Sequence, residues 1–284
     1  MAAIHGYLCA DGYVVSHKQG SRHKYYRMAL RNTEIVLLKD FAFRFKNVFG
    51  ILPKISPRID RAYAQRKHVY LWLVKRFGSF HSYKWRFPEL FRSRKLKSAW
   101  LRAVFDCESW VSCKKASDRH IGLEMVNRRG VLKIKKLLSE FKIRAKFKVR
   151  NKRGLYRLNI FGKQNIEIFS HKIGFLHPKK HAKLEEAIAS YVDFRWHFPE
   201  KRMELKKFIL TKLAGKSGKI SSRRIRVCSC FRNNLKKLRS RLKTCFGVDS
   251  KVSKESVNGL GNTFFELSIN KKSDVQKLAL LAKS

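Results

Sequence analysis

Two short apolar segments, each running into an acid, constrain this chain most, together with the matching order of elements behind them. The first is Ile4-His5-Gly6-Tyr7-Leu8-Cys9-Ala10-Asp11-Gly12; the second is Leu101-Arg102-Ala103-Val104-Phe105-Asp106-Cys107-Glu108-Ser109. Each starts aliphatic, passes a small residue (Gly6, Ala103) and reaches a carboxylate at its eighth position, Asp11 or Glu108. A helix of this kind can press its small residue against a twin and hold one acid at its foot. Two such helices side by side bring two carboxylates together, as a divalent metal requires.

The order of elements repeats as well. Behind Asp11, Lys24–Leu30 alternates like a strand, and Glu34–Phe49 carries apolar residues at helical spacing up to Gly50. His68–Phe77 reads as a further strand, with Val69, Leu71 and Leu73 on one side. Behind Glu108, Arg119–Val126 alternates, Val131–Phe141 is an amphipathic helix, Leu155–Phe161 alternates and Ile166–Ile173 begins another helix. A shorter third stretch holds strand-like Arg224–Cys228, a Leu235/Leu238/Leu242/Phe246 helix stripe, strand-like Thr263–Ile269 and a last helix over Val275–Ala282. Its nearest counterpart of the acid-tipped segments, Leu210–Lys216, ends on Lys. Two readings stay open for it: a degenerate third copy, or a helix-turn-helix over Leu205–Leu242 with Asn262–Ile269 in a wing. The expected division is 1–95, 96–192 and a basic C-terminal extension over 193–284.

Lys and Arg number 66 against 20 acids, a formal charge of +46, spread along all 284 residues. Hydrophobic residues make up 44%, which a disordered basic chain would lack, so the cations sit on a folded protein. Self-repulsion of that size calls for a polyanion: DNA, RNA or, less well, an anionic membrane surface. No apolar run approaches the roughly 20 residues of a membrane helix. The first fifteen residues lack a basic n-region, so no signal peptide is expected. The six cysteines form no CxxC pair, which excludes a zinc ribbon and fits a reducing, intracellular compartment. Ala214-Gly215-Lys216-Ser217-Gly218 lacks the upstream Gly of a P-loop, and the scattered histidines form no metal or nucleophile pattern.

With these residues in view, the chain resembles the two-motif LAGLIDADG homing endonuclease family, in its archaeal and intein-associated branch. The tail Ile173-Gly174-Phe175-Leu176-His177-Pro178-Lys179-Lys180 and the Asn127–Phe141 segment are similar to phrases of that branch. The likeness covers about residues 1–190. Cys9 stands where the family has its first acid, and the second motif closes on Ser109 rather than Gly. No splice-junction pattern occurs, so a freestanding enzyme is expected. The resemblance implies an α+β fold of two pseudo-symmetric αββαββα units, whose curved antiparallel sheets form a DNA-binding saddle, with a C-terminal α/β extension.

The resemblance also implies a site-specific double-strand DNA endonuclease acting as a monomer, in the cytoplasm or an organelle matrix, with no membrane partner. Asp11 and Glu108 are expected to hold Mg²⁺ or Mn²⁺ as the catalytic acids. Lys180 is expected beside them as a catalytic cation, with Lys95 or Lys97 as its loose counterpart, and Gly6 and Ala103 at the helix interface. On the sheets, Tyr26, Arg27, Arg31, Arg66, His68, Arg119, Glu124, Arg157 and Asn159 are placed on the face away from the helices. Arg27, Arg31, Arg66, His68, Arg119, Arg157 and Asn159 are the expected nucleic-acid contacts. Plainer readings stand beside these: Asp11-Gly12 as a turn, Glu108 as a solvated helix-end charge, Lys180 as a phosphate contact, Gly6 and Ala103 as ordinary small core residues. A non-cleaving DNA-binding regulator or an RNA maturase is the alternative function.

Overall fold

The computed structural model of the protein describes residues 1–19, 23–114, 118–150, 154–191, 194–198, 205–215, 218–257 and 263–281. Lys216, Ser217 and Asn262 lie outside them. The chain divides into two compact units, Met1–Ile188 and Ala189–Ser284.

The first unit holds two αββαββα repeats. The first repeat is α1 (Ala2–Cys9), β1 (Gly12–Gln19), β2 (His23–Arg31), α2 (Ile35–Phe49), β3 (Lys54–Ser56), β4 (Arg61–Gln65) and α3 (Lys67–Phe77). The second is α4 (Arg94–Glu108), β5 (Ser109–Lys114), β6 (Asp118–Met125), α5 (Arg128–Glu140), β7 (Ala145–Arg150), β8 (Leu155–Phe161) and α6 (Lys163–Lys172), followed by α7 (Pro178–Ala189). Both sheets are antiparallel, in the order β1-β2-β4-β3 and β5-β6-β8-β7.

Alternation decides which face of each sheet meets the helices. In the first sheet Met28 and Leu30 pair with Ala64 and Ala62, and all four are buried. In the second, Ile121 and Leu123 pair with Ile160 and Leu158 and are likewise buried. Leu38, Phe41 and Phe45 of α2 and Ile134, Leu137 and Leu138 of α5 supply matching buried stripes.

One reading of the sequence is corrected here. Residues 68–77 are helix α3, not a strand, and the strand is Arg61–Gln65 just before it. Val69 and Leu73 are buried four residues apart while Leu71 is half exposed, so the true period is helical; the β-branched and aromatic residues imitated alternation. Helix α4 begins at Arg94, a full two turns before the apolar segment, because Ser93 Oγ accepts a hydrogen bond from the Leu96 amide (3.2 Å) and caps it.

The second unit runs α8 (Leu205–Ala214), β9 (Gly218–Ile220), β10 (Ile225–Ser229), α9 (Arg232–Phe246), β11 (Lys251–Val252), β12 (Ser256–Val257), β13 (Thr263–Ile269) and α10 (Lys272–Leu281). Its main sheet is ordered β11-β13-β10-β9, with β12 paired to β13. Read from its first strand and leaving out β12, this is again first-second-fourth-third, the order of the other two sheets. Two strands separate α8 from α9, so the helix-turn-helix alternative does not describe it. Ile209 and Leu213 of α8, Leu235, Leu238 and Leu242 of α9 and Val275 and Leu278 of α10 join Val227 and Leu267 in one core. Among the described residues, no helix is long and apolar enough to cross a membrane, and all six cysteines are free thiols.

Candidate active site

Helices α1 and α4 meet at Gly6. A Cβ there would lie 2.7 Å from the Trp100 carbonyl oxygen and 3.0 Å from Ala103 Cβ, closer than side chains pack. Trp100 Nε1 donates to His5 Nδ1 (2.9 Å) across the same seam. His5 is buried among aromatic rings, and burial lowers its pKa to about 3, so it is a neutral acceptor. Every residue of α1 is buried, which explains why its sequence shows no polar face.

Both helices end where their first strands begin. Asp11 directly precedes β1 and Glu108 directly precedes β5. Asn32 Nδ2 donates to Asp11 Oδ2 (2.8 Å), while Asn32 Oδ1 accepts the Glu34 amide at the start of α2 (2.9 Å). The Glu108 carboxyl is pushed up to about 7, first by burial and then by the charge of Asp11, with Lys180 opposing. The neighbouring Cys107 thiol is raised by burial and again by Asp11. The end of α4 therefore lies in the field of the acid at the foot of α1.

The chain after α6 braces that end of α4. Asp106 is wholly buried and accepts the amides of Leu176 and His177, each at 3.0 Å. Burial raises its carboxyl to about 6, against the pull of those two amides, Lys180 and Arg102. Arg102 Nε donates to the Ile173 carbonyl (2.6 Å). Gly174 takes the left-handed conformation (φ 64°), and its amide returns to the Phe169 carbonyl (2.8 Å), so the chain turns back towards α4.

Lys180 lies beside the acids, but its ammonium donates to the carbonyls of Asp106 (2.6 Å), Phe105 (3.2 Å) and Cys107 (3.4 Å). It closes the carbonyl end of α4. Lys95 and Lys97 sit in the first turn of α4, about 15–20 Å along the helix from Glu108 at ~1.5 Å per residue, and Lys97 pairs with Glu140 (2.6 Å). They are no counterpart of Lys180.

The outer sheet faces mix cations with aromatic rings. Arg27 lies over Tyr25 (4.9 Å) and Tyr63 (5.4 Å), and Arg61 over Tyr13 (5.7 Å). Arg31, exposed, pairs in register with Arg61. On the second sheet Arg157 lies over Trp110 (4.9 Å) and binds Glu124 (2.5 Å). Asn159 is almost fully buried on the same face, opposite Gly122 and Lys146.

Four residues expected on the open sheet faces sit elsewhere. Arg66 precedes α3 and His68 is in its first turn, because that segment is helical. Arg119 has the register of Ile121 and Leu123, which places it on the helix-facing side. Tyr26 shares the side of Met28 and packs on Tyr70 of α3 (5.0 Å).

The sequence reading missed Asn32 and Glu34, whose carboxylate lies 3.1 Å from Lys179 Nζ and 3.9 Å from His177 Nε2. Their signal was present: Asn32 precedes α2 as the capping Asn127 precedes α5. It also missed Lys146 and Lys148, exposed on β7 opposite Asn159 and Arg157. Among the described residues, no group of three or more His, Cys, Asp or Glu converges as a metal cage.

Residues 95–174, which span α4 to α6, match the family model described as a LAGLIDADG-like domain. No curated protein matches the chain. Among solved structures, I-DmoI in complex with DNA and Mn is similar at 16% identity over 61% of this chain and 94% of that one (TM-score 0.46). I-DmoI with DNA and Ca is similar at 16% identity over 65% and 98% (TM-score 0.46). Full-length DUF199/WhiA from Thermatoga maritima is similar at 15% identity over 73% and 65% (TM-score 0.43).

Proposed function

We propose that the protein is a divalent-metal-dependent endonuclease acting on double-stranded DNA, with Asp11 and Glu108 as its paired acids. The carrying observation is the close seam at Gly6, which brings the acid-tipped ends of α1 and α4 into one electrostatic neighbourhood. A carboxylate such as Glu108, held high by burial and by the charge of Asp11, fits a cation between the two acids, and Mg²⁺ uses one or two carboxylates plus water and phosphate oxygens. Such an ion, Mg²⁺ or Mn²⁺, supplies an activated water and neutralises charge on the phosphoryl oxygens.

The chain's own part is positioning. Asn32 fixes one oxygen of Asp11 and leaves the other for an ion. Asp106 and Lys180 hold the last turn of α4, so Glu108 keeps its place while its charge changes. Arg27, Arg31, Arg157 and Asn159, with Lys146 and Lys148, line the outer sheet faces, where two sheets form a saddle for the duplex. Arg there reads base edges and Lys contacts phosphate. One chain supplies both acids, so it works as a monomer. The test is cleavage of a randomised duplex library with Mg²⁺ and an EDTA control: Asp11→Asn and Glu108→Gln lose cut ends and keep binding. Normal cutting by both variants refutes the assignment.

A second reading is favoured by the aromatic–cation pairs at Tyr25/Arg27/Tyr63 and Trp110/Arg157. Rings on an open sheet stack unpaired bases, as in RNA recognition. A non-cleaving descendant, an RNA maturase or a regulator, would bind without producing ends.

A further inference from the structure

Apart from the additional two-residue strand β12, the C-terminal unit repeats the αββαββα order and the first-second-fourth-third strand order of the other two units. It does so without their chemistry: from Leu205 to Gly218, across α8 and into β9, the sequence has no Asp or Glu. What it has instead is α9. The inward stripe of this helix, Leu235, Leu238, Leu242 and Phe246, is buried in the unit's core. Its outward side carries Arg232, Lys236, Lys237, Arg239, Arg241 and Lys243, all exposed, and the helix contains no acid.

Cations three and four apart on a helix repel each other by about 0.2–0.5 kcal/mol per pair. The equivalent helices of the other repeats offset this with carboxylates. Asp40 pairs with Arg44 on α2 (2.6 Å), and on α5 Glu89 pairs with Lys133 (3.0 Å) and Glu140 with Lys97 (2.6 Å). Among the described residues, the ion pair of α9 is at its far end, Lys243 with Asp249 (3.5 Å). At ~1.5 Å per residue the helix is roughly 22 Å long, the span of several phosphates along a duplex.

We propose that the C-terminal unit is a third copy lacking the acid-tipped helix end, that it holds nucleic acid without cutting it, and that the outward face of α9 tracks the phosphate backbone of duplex DNA independently of sequence. This rests on the proposed DNA-binding function but not on cleavage. The other two copies would select and cut; this one adds length and ionic attraction.

The test uses the full chain in EDTA, so that cleavage plays no part, and a fluorescently labelled random-sequence duplex. Binding is measured over a series of NaCl concentrations. The variant Lys236→Gln/Lys237→Gln/Arg239→Gln/Lys243→Gln is compared with Lys39→Gln/Lys46→Gln/Lys75→Gln/Arg76→Gln, four exposed cations on α2 and α3. Gln matches Lys and Arg in helix propensity, and circular dichroism verifies that both variants stay folded. The slope of log affinity against log salt is expected to fall by about 3–4 for the α9 variant, at ~0.9 per phosphate contact, and by less than about 1 for the control. An α9 slope equal to wild type, or an equal fall in the control, overturns the assignment of α9 while leaving the nuclease reading intact. No salt-dependent binding by the wild-type protein overturns both.

Discussion

Replacing Glu108 by Gln should stabilise the protein while removing its proposed activity. The displacement of the carboxyl from 4.5 to about 7 corresponds to about 2–3 kcal/mol, at ~1.4 kcal/mol per tenfold change and after discounting for partial solvent access. The folded state holds this proton more tightly than the unfolded chain. Stability is therefore lost as pH rises from about 4.5 to about 7, and the penalty stays constant above that. Gln carries no charge and escapes the penalty. Trp72, Trp85, Trp100 and Trp110, four of the five tryptophans, lie in Met1–Ile188, so fluorescence-detected urea unfolding reports mainly on the unit that contains Glu108. The variant and wild type should match near pH 4 and differ by about 2–3 kcal/mol near pH 8.5, with Gln the more stable. Mg²⁺ should narrow the gap by stabilising wild type alone. A gap independent of pH, or a less stable variant near pH 8.5, would refute the reasoning.

Other perturbations separate the parts of the site. Gly6→Val should cost about 1–3 kcal/mol by overpacking against Trp100 and Ala103 and should abolish cutting while duplex binding persists, as gel shift and cleavage assays can read. Asp106→Ala leaves the buried amides of Leu176 and His177 without an acceptor, at about 1–3 kcal/mol each, and urea unfolding should register the loss. Lys180→Met removes a cation that holds Glu108 down, so the acidic limb of the pH–cleavage profile should move to higher pH; an unmoved profile would place Lys180 outside the field of the acids. Asn32→Ala should weaken Mg²⁺-dependent stabilisation measured by thermal shift, with little change in duplex affinity.

Much of the frame was legible because paired small residues and acids at fixed helical positions have few structural uses. Asp11 and Glu108 could be placed at helix ends from the sequence. The side of a strand was less legible: Arg119 and Tyr26 share the parity of buried neighbours, but their polar character argued for the open face. Helix α3 was misread because Val69, Leu71 and Leu73 alternate by chance within a four-residue period. Lys180 could be placed near the acids, yet no sequence feature says that an ammonium will be spent on three carbonyls. The third copy emerged only with strand order, because its acid-bearing signature is absent.

The decisive measurement is anomalous diffraction from crystals of the protein with duplex DNA and Mn²⁺. A peak within inner-sphere reach of both the Asp11 and Glu108 carboxylates is expected. Manganese bound elsewhere, or at one of these acids with the other turned away, would contradict the shared site.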